Sequence, residues 1–176
     1  MRVRRADSGE ADAIRALYVS AFSEGENELV ASLAVDLLTD ATDPPTLSLV
    51  SHAGEELLGH IAFSPVFAEA GDPALGYILA PLGVMPDHQG SRVGTALVEF
   101  GLAHLREQGV GAVLVYGDPA YYGRFGFEAL AAQAFVPPYP LSQPKGWQAL
   151  ILDSRGAPAQ ASEITCVRPL SDPTLW

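Results

Sequence analysis

The chain has 176 residues, 48% of them hydrophobic and 18% charged, which suits a single domain spanning 1–176 with its own core and disorder confined to the C-terminal end. With 21 acidic residues against 10 basic ones the formal net charge is −11, which argues against nucleic acid or an anionic membrane as partner and leaves a cationic or neutral substrate the easier fit. The lone Cys166 excludes an internal disulfide, the four histidines form no i, i+4 pair, and no apolar run resembles a signal peptide or a membrane span, so no metal is expected and the cytoplasm is the expected compartment.

Val3 to Ala6 reads as a short first strand. Asp7 or Ser8 then caps a helix in which Ile14, Leu17 and Tyr18 recur at helical spacing up to about Phe22. The acidic segment Ser23-Glu-Gly-Glu-Asn-Glu28 leads into a second helix, where Glu24, Glu26 and Glu28 sit at the end that a helix dipole makes favourable to acids. Asp43-Pro-Pro45 breaks the chain. Thr46–Ser51 and Leu57–Val66 then form a hairpin about the turn at Gly54, with His60, Ala62 and Ser64 on one face and Ile61 and Phe63 on the other. The central strand spans Gly76 to Val84 and contains Pro81 and Gly83, so it is expected to be irregular or splayed there and to leave backbone groups free for a ligand.

A long helix is expected from Ser91 to Gln108, with a wide apolar surface and a polar strip of Thr95, Glu99 and Arg106, stopped by Gly109. Val110–Tyr116 is a β-branched run that suits a buried strand parallel to the central one, which makes strand–helix–strand a right-handed crossover. Pro119 begins a short helix through Phe125 that ends at Gly126. Further on, Phe135–Pro140 reads as loop or edge, Trp147–Leu152 as a strand, Ala161–Val167 as an edge strand and 169–176 as a tail.

Strand, glycine turn and helix start meet in Leu79–Val98. Such a junction is an anion site, because the first helical amides lack intrahelical partners and the dipole places about half a positive charge there. A phosphate loop requires a lysine after its glycines, but Gly94 is followed by Thr95 and Ala96. A dinucleotide fingerprint needs three closely spaced glycines and a later acid, and both are missing. A pyrophosphate held by backbone amides remains.

Gln89-Gly-Ser-Arg-Val-Gly94, following Val84-Met-Pro86, resembles the acyl-CoA motif Gln/Arg-x-x-Gly-x-Gly/Ala of the GNAT superfamily of N-acetyltransferases. Tyr122-Gly-Arg-Phe-Gly-Phe127 is similar to that family's Tyr-x-x-x-Gly-Phe ending, and the fuller string Gly117-Asp-Pro-Ala-Tyr-Tyr-x-x-Phe-Gly-Phe127 resembles a bacterial branch of predicted acetyltransferases. The likeness covers roughly residues 1–130. It implies an α/β fold with a mixed central sheet, a splayed central strand and helices on both faces.

The resemblance also implies acetyl-CoA as acyl donor, with Leu82, Gly83 and Val84 beside the pantetheine. Gln89, Gly90, Ser91, Arg92, Val93, Gly94 and Thr95 are then expected around the pyrophosphate, and Asp118 and Arg124 as further cofactor contacts. Arg92 stands where the family has its first glycine. It would be harmless with helical φ, its charge assisting the phosphates, and that is the expectation here. By the same resemblance Tyr122 is the acid that protonates the CoA thiolate. The base stays open: Glu26 and Glu28 border the acceptor side in this family, His60 and Asp118 are further candidates, and a water chain could serve instead. The acidic segment points to a cationic primary amine, and the resemblance implies that it attacks directly in a ternary complex. A homodimer through 135–144 or the Trp147 strand is a further expectation, and a CoA-binding module without transfer is the alternative.

Overall fold

The computed structural model describes residues 1–176. In chain order the elements are β1 (Arg2–Arg5), α1 (Ala11–Ala21), α2 (Asn27–Thr39), β2 (Leu47–Ala53), β3 (Glu56–Phe67), β4 (Gly76–Val84), α3 (Val93–Glu107), β5 (Ala112–Tyr116), α4 (Pro119–Tyr122), α5 (Ala129–Ala132), β6 (Phe135–Val136), β7 (Trp147–Ile151), β8 (Ser162–Glu163) and β9 (Thr165–Cys166). The main sheet runs β1-β2-β3-β4-β5-β7 with β9 on β3, and β6 pairs with β8 in a small second sheet. The sheet is mixed: β1–β2, β2–β3 and β5–β7 are antiparallel, while β4–β5 is parallel and joined through α3. Two compact units divide the chain, residues 1–63 with 80–102 and residues 64–79 with 103–176, so β3, β4 and α3 each contribute to both.

In the first unit Asp7, one of the two expected caps, forms a capping box with Glu10 that opens a single 3-10 turn, and α1 follows at Ala11. The α1 stripe of Ile14, Leu17 and Tyr18 is buried against Ala31 and Ala34 of α2 and Val50 of β2, where the small alanines let the two helices approach. Each fully buried large aliphatic contributes roughly 1.5–3 kcal/mol of transfer free energy, so Leu17→Ala is a change of about 2–5 kcal/mol. On the other face of this sheet Val93 and Leu97 of α3 close over Gly59. Helices therefore cover both faces, as expected.

Burial also decides the fate of His60. Its ring is 0% exposed, with Nδ1 2.8 Å from the Tyr18 hydroxyl and Nε2 2.7 Å from Ser48 Oγ. Desolvation pushes its pKa down to about 3, so the ring is a neutral hydrogen-bonding core group with both nitrogens engaged.

In the second unit Tyr77–Leu79 of β4 register with Val113–Val115 of β5, and β5 registers along its length with β7. Ala112, Val113 and Leu114 are fully buried, which is why this parallel strand reads as an unbroken apolar run. The expected edge strand 161–167 is two short strands instead. Ser162–Glu163 pairs with β6, Thr165–Cys166 pairs with the end of β3, and Ile164 between them is buried. The C-terminal segment is packed rather than a loose tail. Trp176 is stacked on Tyr116 at 6.3 Å, lies 5.9 Å from Trp147, and donates Nε1 to the Leu170 carbonyl at 3.1 Å. Burying two indoles is what holds it there.

Candidate active site

The ladder between β4 and β5 has its last registered pair at Leu79↔Val115, and β5 ends at Tyr116. Pro81 to Val84 have no registered partner on β5. Leu82 and Val84 are half-buried and Gly83 is buried. A side chain at Gly83 would meet Leu17 Cδ2 and Tyr18 Cε1 at 2.7 Å, so glycine is required here by the close approach of α1.

From Val84 the chain turns tightly. The Met85 amide donates to the Leu58 carbonyl at 2.9 Å and the His88 amide to the Met85 carbonyl at 2.8 Å. Gln89 Nε2 donates to the Val84 carbonyl at 3.2 Å, and the Ser91 hydroxyl donates to the His88 carbonyl. Ser91 therefore folds back on the loop instead of capping α3. The first helical bond is Ala96 amide to Arg92 carbonyl, 3.0 Å. The amides of Gly90, Arg92, Val93, Gly94 and Thr95 have no acceptor in the protein. A 15-residue helix thus presents an uncapped N-terminus with its dipole unopposed by any acid in the first turn.

Arg92 is not helical. Its φ is +68°, after Gly90 at +74°, so α3 begins at Val93 rather than Ser91. This corrects the expectation of helical backbone at 92. The loop reverses direction just before the helix, through positive-φ residues at 90 and 92. A non-glycine residue in that region is destabilised by roughly 1–2 kcal/mol. The Arg92 guanidinium is exposed and makes no ion pair or hydrogen bond within the protein.

The second unit carries Tyr122. Asp118 caps α4 by accepting from the Ala120 amide at 2.9 Å, and Pro119 occupies the first helical position. The Tyr122 ring lies on Gly117, where a Cβ would come within 2.5 Å of its Cε2. It is also edge-on to Tyr121 at 5.0 Å and Phe127 at 5.9 Å. Burial, with the neighbouring Tyr121 and Asp118, raises its pKa above the ordinary phenol range. Its hydroxyl has no hydrogen-bond partner in the protein. A protonated, oriented and unpaired phenol is a donor available to a ligand.

The remaining sequence candidates divide by location. Glu26 flanks α2, 3.5 Å from the Ser23 hydroxyl, and Glu28 in its first turn holds Arg15 NH1 at 2.8 Å. Both are exposed. His60 lies in the core network already described, so it is not a free base. Arg124 lies 4.5 Å over the Tyr121 ring and donates Nε to the Tyr121 carbonyl at 3.2 Å, which makes it a brace of the short helix. Thus the first unit gathers residues 82–95, while Tyr122, Asp118 and Arg124 gather in the second. Two groups at the Gly117 turn escaped sequence reasoning, Gly146 and Gln148. Their only local signal was a glycine before a strand.

Residues 11–127 match the sequence model of the acetyltransferase (GNAT) family. The uncharacterized N-acetyltransferase YjhQ of Escherichia coli K12 is 40% identical over 140 residues, covering 78% of this chain and 75% of that protein. Among solved structures, the Escherichia coli N-acetyltransferase YhbS in complex with CoA superposes with a TM-score of 0.83 at 29% identity, over 97% of this chain and 92% of that one. A Brucella melitensis GNAT acetyltransferase in complex with acetyl-CoA does so with a TM-score of 0.69 at 30% identity, over 96% of each.

Proposed function

Because the chain belongs to the acetyltransferase (GNAT) family and is an N-acetyltransferase with acetyl-CoA as donor, we propose that it acetylates a cationic primary amine by direct attack, with the CoA pyrophosphate on the start of α3. The observation that carries this reading is the row of unpartnered amides at Gly90 and 92–95 on an uncapped helix. A pyrophosphate supplies acceptors for those donors, and anion and dipole attract. Arg92 adds a charge-assisted contact to the same phosphates. The pantetheine arm then lies along Leu82–Val84, where the strand backbone can pair with its amides and hold the thioester oxyanion.

In the step itself the amine nitrogen attacks the thioester carbonyl carbon and forms the C–N bond. The C–S bond then breaks, the sulfur takes the proton of the Tyr122 hydroxyl, and the phenolate is reprotonated from water, to which the nitrogen sheds its remaining extra proton. The unpaired state of that hydroxyl supports transfer over mere binding of CoA, since a binding module has no use for a desolvated free donor. Glu26 and Glu28 act through charge, drawing a cationic amine toward the α1–α2 segment, and the amine loses its proton to water. Asp118 and Arg124 contribute as supports of α4.

Calorimetric titration with CoA tests the central contact. Wild-type protein is expected to bind, and Gly94→Glu, which sets a carboxylate among the free amides, is expected to abolish binding while the fold persists. Equal binding by the two proteins would remove the pyrophosphate from this loop.

A further inference from the structure

One buried polar side chain in the second unit has no part in the chemistry above. Gln148 of β7 is 2% exposed, and its Nε2 lies 3.3 Å from each of two carbonyls, Gly117 and Gly146. The β5–β7 register ends with Tyr116↔Trp147, but the contact continues past it: the Gly117 amide donates to the Gly146 carbonyl at 3.0 Å. The two backbones are so close that a Cβ on Gly146 would stand 2.9 Å from the Gly117 oxygen. A second tie joins the same segments, because the Tyr116 hydroxyl accepts from the Gln143 amide at 2.8 Å and meets Ser142 Oγ at 2.9 Å.

Gly117 is the residue on which the Tyr122 ring rests. Helix α4 spans only Pro119–Tyr122, far too short to hold a direction of its own. Its orientation is inherited from the turn that launches it, and that turn is gripped from the C-terminal third of the chain. We propose that Gln148 and Gly146 are positioning residues for Tyr122, clamping the Gly117 turn so that the phenol stays aimed and unpaired. This rests on Tyr122 being the proton donor. Gln148 donates to the carbonyls of both Gly117 and Gly146. Glycine at 117 and at 146 lets the ring, the turn and the β7 end stack without a gap.

The test is a double-mutant cycle in the full chain, with Gln148→Leu, Gly117→Ala and Tyr122→Phe alone and paired. Turnover is followed by thiol release and folding by thermal unfolding, and the Tyr122 phenol is read by NMR of ring-labelled tyrosine. Misaiming a reacting group by about 1 Å is enough to lower turnover by one to two orders of magnitude. Gln148→Leu and Gly117→Ala are each expected to lower kcat about tenfold or more, with the KM for acetyl-CoA within about twofold of wild type. On the Tyr122→Phe background neither should cost more than about a further twofold. The Tyr122 resonance should shift in both clamp variants and titrate at lower pH, which loss of stability alone would not produce. Full additivity with Tyr122→Phe, or folded clamp variants with wild-type kcat, would overturn the proposal. Wild-type kcat in Tyr122→Phe would instead remove the donor assignment. The clamp would then stand on a shifted Tyr122 resonance and fall on an unshifted one.

Discussion

Replacing Arg92 by glycine separates two effects that this residue combines. Its backbone sits at φ +68°, a region that penalises an L side chain by roughly 1–2 kcal/mol. Glycine removes that penalty but gives the unfolded chain more freedom, offsetting about 0.5–1 kcal/mol of the gain. The net expectation is a ligand-free protein about 0.5–1 kcal/mol more stable. For a chain of this size that is about 1–4 °C in Tm. The same change deletes an exposed guanidinium that has no partner in the protein. If that cation meets a phosphate of CoA, its loss weakens a charge-assisted contact by about 1 kcal/mol in this solvated position, or roughly fivefold in affinity. The assay is thermal unfolding of the apo protein, with CoA calorimetry at two salt concentrations. Arg92→Ala is the control: it loses the charge but keeps the strained backbone, so it should match glycine in affinity and not in Tm. A less stable Arg92→Gly protein, or unchanged CoA affinity in both variants, would refute the reasoning.

Acid should destabilise the protein through His60 before any carboxylate titrates. The folded chain holds this ring neutral to about pH 3 while an unfolded histidine protonates near 6.5, so stability present above pH 6.5 is lost on acidification by up to about 1.4 kcal/mol per pH unit; thermal unfolding between pH 7 and 5 should show that slope, and His60→Gln should flatten it. Glu10, held near a pKa of about 2 chiefly by Arg4, steepens the loss only below pH 4.5. Gly83→Ala places a Cβ 2.7 Å from Leu17 and Tyr18 and is expected to destabilise by about 1–3 kcal/mol, read as a fall in denaturant midpoint. Glu26→Gln with Glu28→Gln should raise the KM for a cationic amine severalfold at low salt, leave the KM for acetyl-CoA unchanged, and lose its effect at high salt; an equal rise for a neutral amine would contradict the electrostatic role.

The site in the first unit was legible wherever local chemistry dictates shape. Pro81 and Gly83 announced the end of regular pairing along β4, and the wide apolar surface of 91–108 marked the helix that follows. The loop conformation at Arg92 was misjudged because side-chain identity argues against a left-handed residue, and only the closure of the loop onto α3 imposes it. His60 looked like a reachable base because nothing local reports that α1 will lay Tyr18 across it. The C-terminal third was the least readable. Its strands are short, and its aromatic and polar contacts join residues far apart in the chain, as with Gln148 to Gly117 and Trp176 to Tyr116. Such pairings carry no periodic signal.

The most direct test of the account is amine-dependent release of thiol from acetyl-CoA by the purified protein. A panel of polyamines, amino acids, aminoglycosides and peptide N-termini is followed at several pH values, with the acetylated product identified by mass. At least one cationic primary amine is expected to be acetylated in step with thiol release, and Tyr122→Phe is expected to lower kcat by about two to four orders of magnitude while CoA still binds. Undiminished turnover by Tyr122→Phe across the pH range, or tight CoA binding with no amine acetylated, would contradict it.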